Sequence, residues 1–169
     1  MMKAKSLVLA LAGLAVSSAV AFAQTPTLLK QHNDWAAYAL SGGGGKVCYA
    51  LTKPTQSLPG DRNHGDVFFF VTSRPAEGVS SEPSLLVGYP FKDKSSVTVD
   101  VDGKGFTLFT NNDGAWVENA ATEAQLVAAM KAGREMTVNG QSSRGTRTTY
   151  KFSLSGVTAA IQSAANACK

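Results

Sequence analysis

The residues that could carry chemistry are few and widely spaced. His64 stands between two acids, Asp61 and Asp66, and a histidine oriented by a carboxylate is a common form of general base. Its segment, Pro54 to Gly65, is polar and turn-rich, which favours an exposed loop histidine among solvating charges. His32 lies in the lead-in to the first strand, far from His64. Cys48 and Cys168 are the only cysteines. They lack zinc-ligand spacing and read as a disulfide rather than a metal or thiol centre. No serine occupies a G-x-S-x-G turn. The glycines at 42–45 are followed by a strand-like run, without the G-K-S/T and helix of a phosphate cradle, and mark a hairpin tip. Asp100, Asp102 and Gly103 supply too few oxygens for a calcium loop and read as a tight turn. No catalytic residue, metal site or cofactor site is therefore expected.

Trp35, Tyr38, Trp116 and Phe68 to Phe70 could line a ligand groove, but a β-domain of this size needs most of them as core. Arg144, Arg147 and Lys151 form the densest basic group. Spaced along a hairpin, they read as a solvated face, and nucleic acid is not an expected partner. The formal net charge is +4, and Lys3 and Lys5 supply half of it.

These residues need elements to position them. Asp34–Leu40 and Lys46–Leu51 read as strands flanking the glycine turn. Asp66–Thr72, DVFFFVT, reads as a central strand buried on both faces. Arg74–Pro83 reads as a loop and Ser84–Tyr89 as a further strand. Ser96–Val101 alternates, Asp102-Gly103 turns the chain, and Phe106–Phe109 runs back. Gly114–Glu118 is one more strand. Thr122-Glu123-Ala124-Gln125 predicts a helix start by a capping box, with Leu126, Ala129 and Met130 on one face and Gly133 as the stop. Met136 and Val138 begin a last hairpin, whose return strand Thr148–Leu154 turns Tyr150, Phe152 and Leu154 inward. A final helix, Gly156–Ala167, places Val157, Ile161, Ala164 and Cys168 on one stripe. The disulfide would pin that helix to the Cys48 strand, closing a loop worth roughly 4–5 kcal/mol in the chain-entropy account. About eight short strands and two short helices, one C-terminal, predict a mainly β fold, an antiparallel sandwich or barrel.

The first residues read differently. Lys3 and Lys5 precede an apolar run, Ser6 to Val20, and Ala21-Phe22-Ala23 then offers small residues to a signal peptidase. The expected division is a signal peptide at 1–23, cut between Ala23 and Gln24, and one domain at 24–169. No later segment is long and apolar enough to span a membrane.

The C-terminal third, with Leu126–Met130, Ala132-Gly133, Glu135–Asn139 and then YKFSLSGVTAAI from Tyr150 to Ile161, resembles the invasion-associated locus B family. Trp35, the Cys48 strand and the stretch from Gly88-Tyr89-Pro90 to Asp102 follow the same order. The resemblance implies an exported protein of Gram-negative bacteria, periplasmic or at the surface, with an immunoglobulin-like β-sandwich. It also implies a link, in pathogenic members, to entry into host cells. The expected role is a non-enzymatic module that contacts envelope or host proteins. The alternatives are an envelope hydrolase using His64 and a structural or stress-response protein without a specific ligand. Members of that family usually carry more cysteines, one soon after the early tryptophan and a pair before the helix; Ala36–Leu40 and Thr110–Ala115 contain none here.

Overall fold

The computed structural model describes residues 25–42 and 44–169; the expected signal segment and its Ala23–Gln24 junction lie outside the described residues. Among the described residues eleven strands form one antiparallel ladder: β1 (Thr27–His32), β2 (Trp35–Gly42), β3 (Gly45–Thr52), β4 (Gln56–Leu58), β5 (Phe68–Arg74), β6 (Val79–Leu86), β7 (Ser96–Val101), β8 (Lys104–Asn111), β9 (Gly114–Trp116), β10 (Glu135–Gln141) and β11 (Arg147–Ser153). The helices are α1 (Ala120–Ala132) and α2 (Val157–Ala167). The strand order is β1-β2-β3-β5-β6-β9-β8-β7-β10-β11-β4. The mainly antiparallel β fold with two helices, one C-terminal, is as expected.

The ladder folds over so that its two limbs face each other. Phe69 of β5 meets Phe152 of β11 edge-on, ring centroids 5.8 Å apart. The start of β2 is tied to the end of β11: the Asp34 N–H donates to Ser155 O at 3.2 Å, and the Trp35 indole N–H to Ser153 O at 2.9 Å. Between the limbs lies the core. Val97, Val99 and Val101 of β7 and Met136 and Val138 of β10 are buried against Trp35, Phe69, Val71 and Leu85. The period-2 alternation of β7 is what puts its three valines on one side.

α1 adds Leu126, Val127 and Met130 to this core. Its cap is Asn119, whose side chain accepts the Thr122 N–H at 2.9 Å, so the helix begins before the expected capping box. Asn119, in an extended conformation, takes the N-cap role expected of Thr122 and accepts that residue's own N–H, which leaves Thr122 inside the first turn. α2 lies against β2 and β3. Its stripe of Val157, Ile161, Ala164 and Cys168 is buried, as expected. Cys168 is bonded to Cys48 across 120 residues of sequence, in a second small cluster with Ala37 and Ala164. The small side chains there let the helix backbone approach the sheet closely. Gly156, at φ +92°, starts α2 where any side chain would strike the His32 carbonyl.

Two strands depart from the sequence reading. β1 forms where a loose lead-in is predicted, and β4 pairs with β11 inside a predicted loop. Both are edge strands. β1 is exposed along nearly its whole length, so it has no buried face to imprint an alternation on its sequence. β6 also begins earlier than predicted, running through Pro83, whose missing N–H does not break its pairing with Val71.

Candidate functional site

The run DVFFFVT is not buried on both faces. Along β5 the burial alternates: Phe69, Val71 and Ser73 point into the core, while Phe68, Phe70 and Thr72 point outward. The pairing register carries this outward set across the limb. Tyr49 of β3 lies opposite Thr72, and Tyr38 of β2 lies opposite Tyr49. Tyr38 stacks on Tyr49 at 5.5 Å, Tyr49 meets Phe70 edge-on at 5.7 Å, and Phe70 lies 5.8 Å from Phe68. Lys53 Nζ sits 4.9 Å from the centre of the Phe68 ring and 3.3 Å from Asp66.

The face continues past β5. Phe68 is opposite Leu86, Leu86 is opposite Gly114, and the Trp116 indole lies over Gly114, where any β-carbon would strike it. Trp116 is next to Phe109, ring centroids 6.0 Å apart. Phe109 is 49% exposed, Leu86 37%, and Leu28 at the far edge 53%. Contiguous apolar surface of this kind is uncommon on a protein that works alone. The outer face of the other limb is mostly polar, with Thr98 and Asp100 of β7, Thr137 and Asn139 of β10, and Thr149 and Lys151 of β11 in register and Leu58 of β4 as the apolar exception at its edge. Of the aromatic residues expected as core, Trp35 and Phe69 are core; Tyr38, Phe68, Phe70 and Trp116 instead build this outer face.

A second feature is a cavity of about 660 Å³ between the loop at 59–67, the segment at 88–90 and the β10–β11 turn. Gly65 and Gly88 hold the first two together. A β-carbon on Gly88 would lie 2.5 Å from Gly65 Cα and 2.6 Å from His64 O. His64 is half-buried rather than an exposed loop residue, and neither neighbouring acid orients it: Asp66 pairs with Lys53 at 3.3 Å and Asp61 with Arg62 at 3.8 Å. Its Nε2–H donates to the Pro59 carbonyl at 2.9 Å, and its Nδ1 is hydrogen-bonded to Tyr150 Oη at 2.8 Å. The chain continues from Tyr150 Oη to Tyr89 Oη at 2.8 Å and on to Thr148 Oγ1 at 2.7 Å. Burial is the main cause that pushes both phenols above the usual tyrosine range; for Tyr150 the bond to Tyr89 adds to it. Tyr89, Thr148 and Tyr150 were not legible as companions of His64. The one local signal is the glycine pair that brings their segments together.

The remaining candidates are structural. Asp102 accepts the Arg134 N–H at 2.8 Å and the Glu135 N–H at 3.3 Å, tying the β7–β8 turn to the start of β10. His32 Nε2 is hydrogen-bonded to Ser163 Oγ on α2 at 2.8 Å. The three expected basic residues are dispersed: Arg144 lines the cavity, Arg147 is exposed at the start of β11, and Lys151 faces Glu135 at 3.6 Å. Among the described residues no three His, Cys, Asp or Glu side chains gather as a metal site, and no helix is long and apolar enough to cross a membrane.

A folded antiparallel sheet, with its C-terminal helix locked to one limb by a disulfide and one aromatic outer face, defines a class of small disulfide-bonded β proteins. Within that class the assignment is specific: residues 35–165 match the family described as Invasion associated locus B (IalB) protein, and the chain belongs to this family. Among solved structures it is similar to invasion associated protein b from Bartonella henselae, at 17% identity and a TM-score of 0.58, covering 80% of this chain and 94% of that one. At that identity the likeness speaks for the fold. No curated protein matches the chain.

Proposed function

We propose that this protein is an exported envelope or surface module that binds another protein through the aromatic face of β2, β3, β5, β9 and β8, and that in a pathogen it takes part in host-cell invasion. The observation that carries the reading is the outward-facing aromatic strip from Tyr38 to Phe109 on one limb, half-buried along most of its length and exposed at Phe109, set against a polar outer face on the other. Tyrosine, tryptophan and phenylalanine are the residues enriched at the centres of protein interfaces. Export is supported by the signal-like segment at 1–23 and by the disulfide, which persists in oxidising compartments. The hydrolase reading has less support, because both ring nitrogens of His64 are engaged and no carboxylate orients it.

The test is a double variant, Tyr49→Ser with Phe109→Ser, expressed in the native envelope beside a Thr137→Asn control on the polar face. The expected result is a high-mass complex on native gels for wild type and control, and free protein for the double variant. Comigration of all three, or free protein for all three, would overturn the reading.

A further inference from the structure

We infer that the cavity beside His64 is a binding site for a small hydroxylated anion, a sugar acid or sugar phosphate. This site is separate from the aromatic face and does not depend on it. The cavity's volume falls in the range of small-molecule sites.

Its charges are unbalanced. Arg62 reaches it from the loop at 59–67 and Arg144 from the β10–β11 turn, against the single acid Asp61. Among the described residues Arg62 has only this sequence neighbour as an ion-pair partner, at 3.8 Å with both side chains exposed, and Arg144 forms no ion pair. Two arginines on the lining, brought there by separate segments of the chain, suit a carboxylate or phosphate, which arginine grips by two parallel hydrogen bonds.

The floor is built for hydroxyls. Tyr89 and Thr148 line the cavity and are already locked into the chain that ends on His64. Each hydroxyl oxygen can take part in further bonding while staying in place. The walls are also held before any ligand arrives. The Ser143 N–H donates to Pro90 O at 2.9 Å, the Lys92 N–H to Gln141 O at 2.9 Å, and Phe91 bridges to Ser142. Arg144 therefore projects from a braced turn, so the backbone of the turn needs no ordering on binding. His64 is a positioning residue here, since both nitrogens are spent on Pro59 and Tyr150.

The experiment is an NMR titration of the isotopically labelled chain beginning at Gln24, with millimolar glucuronate, glucose 6-phosphate, glucose, acetate and inorganic phosphate as separate probes. The expected result is saturable shifts at Tyr89, Arg144 and Thr148 with glucuronate or glucose 6-phosphate, at lower concentration than with acetate or phosphate, and none with glucose. The two acidic sugars distinguish a carboxylate from a phosphate as the preferred anion. Arg144→Ala, an exposed turn substitution, should weaken binding by about tenfold, the worth of one charged hydrogen bond, and Arg144→Lys should weaken it less. Equal binding of glucose, equal binding of the bare anions, an Arg144→Ala variant that binds as wild type, or no saturable shift with either acidic sugar would each overturn the proposal.

Discussion

Two glycines and two tyrosines decide how the polar end of the molecule is built. Gly88 passes so close to Gly65 that even a methyl group has no room. Gly88→Ala should therefore destabilise the protein by about 1–3 kcal/mol, the usual cost of overpacking, and should shift the His64 resonances; urea denaturation and NMR read the two effects together. Tyr150 carries a pH dependence of definite sign. Burial raises its pKa and that of Tyr89 above the unfolded value, so the folded state holds these protons longer. Stability is then fully present below about pH 10 and falls as pH rises beyond it. Tyr150→Phe should flatten that alkaline decline, while at neutral pH it should cost roughly 1–3 kcal/mol by leaving a His64 ring nitrogen without its partner. Denaturant melts at neutral and strongly alkaline pH measure both. Tyr150 was readable as an inward residue from the alternation of its strand. Its hydroxyl's role was not, because His64 lies 86 positions away in sequence and no local pattern encodes that meeting.

At the scale of elements, α2 depends on the disulfide more than on length. It is an 11-residue helix, below the size at which helices persist alone in water. Cys168→Ser should lower stability by roughly 2–5 kcal/mol and leave α2 the first segment cut in limited proteolysis. Cleavage that starts elsewhere, at the rate seen in wild type, would contradict this. The helical stripe ending in Cys168 was legible from residue spacing alone, as was the β7–β8 hairpin from its valines and Asp-Gly turn. β1 and β4 were not, since an edge strand buries too little to pattern its sequence. β5 was misread for an instructive reason. Three consecutive phenylalanines look the same whether the outward pair is covered by a second layer or exposed, and only the register with Tyr49 and Leu86 tells the two apart.

At the scale of the molecule, the folded sheet is one cooperative body because the limbs share a core. Phe152→Ala, which removes the ring that meets Phe69, should cost about 3–5 kcal/mol, and fluorescence and circular dichroism should still report a single coincident transition. The same folding leaves two outer faces of opposite chemistry, and the proposed partner sits on the aromatic one. In-cell photocrosslinking reads that asymmetry most directly, with a benzophenone amino acid placed in turn at Tyr49, Phe109 and Thr137. Adducts of one discrete mass from Tyr49 and Phe109, and none from Thr137, are the result predicted for a partner seated on the aromatic face. Adducts from Thr137 alone, or none from any of the three positions, would contradict it.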